Sequence, residues 1–474
     1  MSEQKSVSQS LNQASTTPDF AIRNGILLLA DPAAPLYPHG RRYRSELGGI
    51  CQVQTSVAVK DGKIIAIGDR AHENASEIFD AKGLHVLPGV IDSQVHFREP
   101  GLTHKEDLES GTRGAVLGGV TTVFEMPNTK PPTSNRAELE EKFARTIGRI
   151  WSDLSFFIGA TPNNAIELKE LEKHPNCCAV KIFMGSSTGS LLVAEDEPLF
   201  TILKAGKYRV AVHCEDEFRL NERKHLVENS SDVRLHPIWR DELTALQATR
   251  RIVRLAELSG RPVHVLHVTT EEEMDFLKNK KDIVSVETTP QHLTLVGPDC
   301  YDRLGTLVQM NPPIRGEHHR AALWRAVNNG VVDVIGSDHA PHTLKEKANT
   351  YPNTPSGMTG VQTLLPLMLS HYNAGRLSLE RLVEICCRNP ARLYNAVGKG
   401  AIRVGNDADF TLVDLNKKKR IETKWIASKS GWTPFEGFEA HGWPVATIVR
   451  GHTVMREDQL LGTPIGRPVQ FEKY

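Results

Sequence analysis

The chain has 474 residues, 39% of them hydrophobic and 24% charged, and its 57 basic side chains balance its 57 acidic ones. That length suits a barrel of roughly 250 to 350 residues with one flanking domain; the charge balance excludes electrostatic attraction to nucleic acid or an anionic membrane, so a small molecule is the expected partner. Seven cysteines with no CxxC spacing exclude a disulfide framework and a thiolate zinc site, and they suit reduced thiols in a cytoplasm.

Residues 1–20, MSEQKSVSQSLNQASTTPDF, are polar, rich in Ser and Gln, and lack the apolar core of a secretory or membrane address. A disordered tail is expected there. Residues 21–83 hold short β-like runs, GILLLAD and SVAVKDGKIIAIGD, the second with a DG turn inside it. Residues 401–460 hold more of the same, DADFTLVDL and ATIVRGHTV. Neither flank has enough strands for its own core, so the two are expected to pair as one discontinuous β-sandwich.

Between them lies the expected barrel domain, residues 84–400, of which about 84 to 340 repeat a short β-branched run, a turn and a longer amphipathic stretch. The runs are LHVLPGVID, VTTVFEMP, LSFFIGAT, CAVKIFM, RVAVHCED, PVHVLHVT, IVSVETTP and VDVIGSD. Eight alternating units predict a closed (β/α)₈ TIM barrel inserted in the sandwich, an α/β fold. The segment from about 343 to 400 supplies the last barrel helices, after a turn-rich loop, KEKANTYPNTPSGMTG.

Functional residues of such a barrel lie at the carboxyl ends of its strands. Strand one ends at Asp92, Gln94, His96 and Arg98, which alternation would put on one face. Strand two ends at Asn128, strand four carries Lys181 in an apolar run, strands five and six end at His213 and His267, and strand eight ends at Asp338. Imidazole and carboxylate ligands suit Zn²⁺ with an open position for water. An ammonium has no lone pair to offer, so Lys181 fits a ligand position only as a carbamate formed with CO₂, whose two oxygens can bridge two metals.

With GVIDSQVHFREPG, MPNTKPPT, VKIFMGSSTG, HVLHVT, NPPIR and SDHAPHTLKEK in view, the chain resembles the cyclic amidohydrolases, and specifically the dihydroorotase family, over residues 21–460. The resemblance implies one or two zinc ions held by His96, Lys181 as N6-carboxylysine, His213, His267 and Asp338. It implies a substrate held by Arg98, Asn128, Asn311 and His342, with Asp338 as general base and acid. The activity implied is hydrolysis of the dihydroorotate ring amide and its reversal from N-carbamoyl-L-aspartate. Arg98 can grip a carboxylate in a fork; dihydropyrimidine, hydantoin and allantoin rings carry none, which sets those amidohydrolases second. Ser187 and Thr188, in the small-residue loop MGSSTGSLLV, are expected lid contacts. A homodimer and association with aspartate transcarbamoylase are further implications.

Two positions depart from the family pattern. DxHxH here reads Asp92, Ser93, Gln94, Val95, His96, and PHHL reads PQHL, which leaves Gln291 and His292 without a role. A neutral amide is a weaker zinc ligand than imidazole. Gln94 therefore raises a second reading, a scaffold subunit that has lost catalysis. The retained ligands, lysine and arginine favour the enzyme.

Overall fold

The computed structural model describes residues 17–31, 49–186 and 191–473. Of the expected tail, residues 1–16 lie outside them, as do Ser187 and Thr188. The N-terminal flank forms β1 (Phe20–Asp31), β2 (Gly49–Lys60), β3 (Lys63–Ile67), β4 (Glu77–Asp80) and β5 (His85–Pro88). The barrel strands are β6 (Val90–Val95), β7 (Val120–Glu125), β8 (Asp153–Gly159), β9 (Cys177–Phe183), β10 (Val210–His213), β11 (Val263–Val265), β12 (Val284–Thr288) and β13 (Val334–Ile335). The C-terminal flank adds β14 (Phe410–Arg420), β15 (Glu439–Val449), β16 (His452–Arg456) and β17 (Gln459–Leu460).

Each of the eight apolar runs supplies one strand of a single parallel sheet, paired in chain order from β6 to β13. A parallel bridge between Val95 and His339 links the first strand to the end of the last, and His96 N–H donates to the His339 carbonyl at 2.7 Å. The flanks share a nine-stranded mixed sheet in the order β17-β16-β15-β14-β5-β1-β2-β3, with β4 on β1. Its hairpins turn at Asp61-Gly62 and Arg450-Gly451, where all four φ angles are positive (50°, 76°, 45° and 77°), the conformation that two-residue hairpin loops demand.

One run divides where the sequence suggests a single strand. LHVLPGVID splits at Gly89: β5 joins the mixed sheet between β1 and β14, and β6 opens the barrel. A Cβ at Gly89 would stand 2.3 Å from Thr121 Oγ1 and 2.7 Å from Asp409 Cβ, so only glycine fits where the chain passes from one sheet to the other.

Burial follows the period of two that strands impose. Val123, Phe156, Val180, Val212 and Val286 pack outward against the helices, whereas Phe124, Phe157, Ala211 and Val334 fill the barrel interior. Residues beyond 460 cross its amino end. Leu154 and Val469 exchange backbone hydrogen bonds with the 467–469 segment and β8, and the Phe471 ring meets Phe124 edge-on at 5.4 Å. All seven cysteines are free thiols. Among the described residues no helix is long and apolar enough to cross a membrane.

Candidate active site

The alternation that fills the interior also lifts the chemistry to its carboxyl end. Lys181 follows Ala179 on the inner face of β9, His213 follows Ala211 on β10, and Glu287 follows Ser285 on β12. Gln94, His96, Arg98, Asn128, Lys181, Phe183, His213, His267, Asn311, Asp338, Ser356 and Gly357 line one cleft of about 370 Å³, open solvent included. Arg98, His267 and Asp338 have φ of 63°, 37° and 45°, a region costing non-glycine residues about 1–3 kcal/mol each. The strain turns their side chains into the cleft where the strands end.

On one side, His213 Nε2–H donates to Glu215 Oε2 at 3.0 Å, and His213 Nδ1 faces His267 Nε2 at 3.0 Å. Burial alone would raise the Glu215 carboxyl; the Arg240 guanidinium bonded to it and His213 more than offset this and hold it at about 2. The anion fixes the His213 proton on Nε2, so Nδ1 turns its lone pair toward His267. Two imidazole nitrogens so disposed are a donor pair for a cation. Lys181 lies beside them, its Nζ 4.5 Å over the Phe183 ring, and burial lowers its pKa to about 7. Half of it is then the free amine near neutrality.

On the other side, His96 Nδ1–H donates to Asn128 Oδ1 at 2.6 Å, and its Nε2 stands 3.2 Å from Asp338 Oδ1. Gln94 Nε2 donates to the same Asp338 oxygen at 3.0 Å, and Gln94 Oε1 is buried without a protein partner. Burial pushes the Asp338 carboxyl up, but His96, His267 and Lys181 bring it far below the usual carboxylate range. It is held ionised.

At the rim, Arg98 is 1% exposed, donates through Nε to the Pro341 carbonyl at 3.2 Å, and has its Nη1 buried with no partner. His342 Nδ1 accepts from Lys105 Nζ at 3.0 Å, so its Nε2 carries the proton and donates to the Ser356 carbonyl at 3.1 Å, while Arg98 Nη2 packs 3.3 Å from the same Nε2. Asn311 Oδ1 accepts from His236 Nε2 at 3.0 Å. Lys347 Nζ, donating to the carbonyls of Gln309, Pro355 and Gly357, pins the turn-rich loop that brings Ser356 and Gly357 to the wall.

The Amidohydrolase family pattern matches residues 207–454 and the Dihydro-orotase-like pattern residues 83–167. The chain is 36% identical to the dihydroorotase of Methanothermobacter thermautotrophicus over 408 residues, 86% of this chain and 92% of that one. It is 33% identical to the dihydroorotase of Pyrococcus furiosus over 88% of this chain and 92% of that one. The chain belongs to the dihydroorotase family. Among solved structures, L-hydantoinase (dihydropyrimidinase) from Arthrobacter aurescens superposes with a TM-score of 0.87 at 29% identity, covering 96% of this chain and all of that one. Dihydropyrimidinase from Brevibacillus agri superposes at 0.85 and 25%, over 96% and 99%.

Dihydroorotases and their amidohydrolase relatives are hydrolases of cyclic amides in a metal-dependent family, and the donor set here suits such an ion. Of the residues singled out in the sequence, Gln94, His96, Arg98, Asn128, Lys181, His213, His267, Asn311 and Asp338 converge on the cleft. Asp92 does not share their face. The β6 register shifts between Asp92 and Val95, so its carboxylate turns aside to accept from the Ser337 and Gln94 amides at 2.9 and 3.2 Å. His342 stands behind Arg98 rather than on the wall. Gln291 donates to the Ser337 carbonyl at 2.7 Å and His292 Nε2 bonds the Pro312 carbonyl at 3.1 Å; the PQHL pair braces the loops that carry Asp338 and Asn311.

Sequence reasoning missed Glu287, Glu215 and Arg240. Glu287 lies on the floor, accepting from Ser93 Oγ at 3.0 Å, and burial raises its carboxyl to about 8. A carboxylate inside the apolar run IVSVETTP was the available signal. Away from the cleft, Asp153, Asp407 and Asp409 present oxygens close enough for a cation. The Lys399 ammonium already fills that place, at 2.6, 3.0 and 2.5 Å.

Proposed function

We propose that this dihydroorotase-family chain interconverts (S)-dihydroorotate and N-carbamoyl-L-aspartate in pyrimidine biosynthesis. The catalytic unit is residues 84–400. Zinc, one or two ions per chain, is held by His96, His213, His267, Asp338 and Lys181 as its carbamate. Arg98 carries the reading. A buried guanidinium with an unpartnered Nη1 at the rim fits a ring that bears a carboxylate, and dihydrouracil and hydantoin rings bear none.

Bound zinc would supply Lewis acidity toward the ring carbonyl and lower the pKa of water. The chain's own residues do the rest. Free-base Lys181, its pKa near 7, has the lone pair that attacks CO₂. Arg98 anchors the carboxylate, and Asn311, its oxygen taken by His236, offers the ring an amide N–H. Both contacts to Asp338 fall on Oδ1, so Oδ2 takes the proton of the attacking water and returns it to the ring nitrogen.

A silent scaffold is disfavoured on physical grounds. His96, Lys181, His213, His267 and Asp338 converge on one cleft together with Arg98 and Asn128, a convergence of ligand-competent and carboxylate-binding groups that a subunit binding nothing has no need of. A homodimer in the cytoplasm, associated with aspartate transcarbamoylase, belongs to the same proposal and rests on the family resemblance. The test is ring opening of (S)-dihydroorotate by protein stripped with a chelator and then given zinc and bicarbonate. Loss and recovery of turnover support the reading; no turnover after reconstitution rejects it.

A further inference from the structure

Gln94 occupies the place of a family histidine, and its hydrogen bonding defines what it does there. Its Nε2 lies 3.0 Å from Asp338 Oδ1. Turning the amide over would set Oε1 against an ionised carboxylate, acceptor facing acceptor, so the NH₂ group is fixed toward Asp338. Oε1, buried and unpartnered, is the only donor atom that Gln94 could give a metal, and a neutral amide oxygen ranks below an imidazole nitrogen for zinc.

The two halves of the cradle are unequal for this reason. The half made of Lys181, His213 Nδ1 and His267 Nε2 is complete, and Glu215 and Arg240 set its tautomer. The other half keeps His96 and Asp338 but has an amide where the third ligand belongs. We propose that Gln94 acts as a positioning donor to Asp338 rather than as a metal ligand, and that the chain accordingly has one tight metal seat, at Lys181, His213 and His267, and one weak seat at His96 and Asp338.

This inference rests on the proposed metal cradle, so its test needs no turnover. Apoprotein prepared as the full chain is titrated with zinc in bicarbonate buffer, with bound metal counted by native mass spectrometry, for wild type, Gln94→His and Gln94→Met. One tight equivalent in wild type, two in Gln94→His, and one of unchanged affinity in Gln94→Met are expected. In metal-loaded Gln94→Met, kcat for ring opening should fall ~10-fold or more with KM within a factor of ~3, since Asp338 loses a bond that orients it. Two equally tight equivalents in wild type, or loss of the tight equivalent in Gln94→Met, overturns the assignment. So does a single equivalent in Gln94→His. Wild type that binds one equivalent and never turns over dihydroorotate leaves this inference standing and rejects the proposed activity instead.

Discussion

Replacing Arg98 by Met removes the guanidinium and keeps most of the apolar stem. Arg98 is 1% exposed, and although burial draws its pKa down to about 10, it stays cationic at neutral pH. In the free protein the substitution strands the Pro341 carbonyl, about 1 kcal/mol, and relieves a buried cation whose Nη1 has no partner. Those effects oppose each other, so Tm should move little. With substrate bound, one or two charge-assisted hydrogen bonds to a buried carboxylate disappear, at about 1.5–3 kcal/mol each. A loss of ~3–5 kcal/mol lowers kcat/KM for (S)-dihydroorotate by ~10²- to 10⁴-fold. Dihydrouracil, the same ring without the carboxylate, is the control: its kcat/KM should hold or rise. Steady-state kinetics on both compounds decide it. A loss below ~3-fold for dihydroorotate, or an equal loss for both, would refute the assignment of Arg98 to the carboxylate.

Lys181→Ala should abolish turnover and reduce bound metal, and a variant keeping both would remove the lysine from the site. In wild-type apoprotein held at constant dissolved labelled CO₂, the rate of label uptake at Lys181 should be half-maximal near pH 7 and fall toward ~10-fold per unit below it, because burial sets the amine at about 7 and only the free base reacts; a rate flat from pH 8 to 5.5 contradicts this. Glu215→Gln frees the His213 tautomer and should weaken metal binding ~10- to 100-fold by titration. Its carboxyl lies at about 2 against 4.5 unfolded, so the stability it contributes, on the order of 3 kcal/mol, is present above pH 4.5 and lost as pH falls toward 2. Urea midpoints of wild type and Glu215→Gln should therefore converge over that window. Lys399→Met leaves Asp153, Asp407 and Asp409 crowded without their shared ammonium. It should cost ~3–5 kcal/mol in denaturant unfolding with kcat unchanged at permissive temperature.

The barrel and most of the cleft were legible because both rest on local periodicity. A polar residue two positions beyond a buried one on an inner strand face must emerge at the strand end, and Lys181 and His213 do so. Asp92 broke the rule because the β6 register shifts beside it, which no alternation count reveals. The strand division at Gly89 was hidden for a related reason: the sequence runs without a polar residue from Val86 to Ile91 across it, and only the crowding at Thr121 and Asp409 separates the two strands. Glu215 and Arg240 escaped notice because the guanidinium that holds the Glu215 carboxylate ionised comes from 25 residues further along the chain, and without it nothing marks Glu215 as the partner of His213. His342 carried the expected chemistry, but Lys105 and Ser356 claim its two nitrogens, which composition cannot disclose.

With Arg98 at its rim, this cleft is built for a carboxylate-bearing cyclic amide. The most direct measurement is the ratio of kcat/KM for (S)-dihydroorotate to that for dihydrouracil in the zinc-loaded wild-type protein. The buried, unpartnered Arg98 predicts a ratio of at least ~10². A ratio near one, or a preference for dihydrouracil or hydantoin, would contradict it and align the chain in activity with the hydantoinases whose structures it resembles.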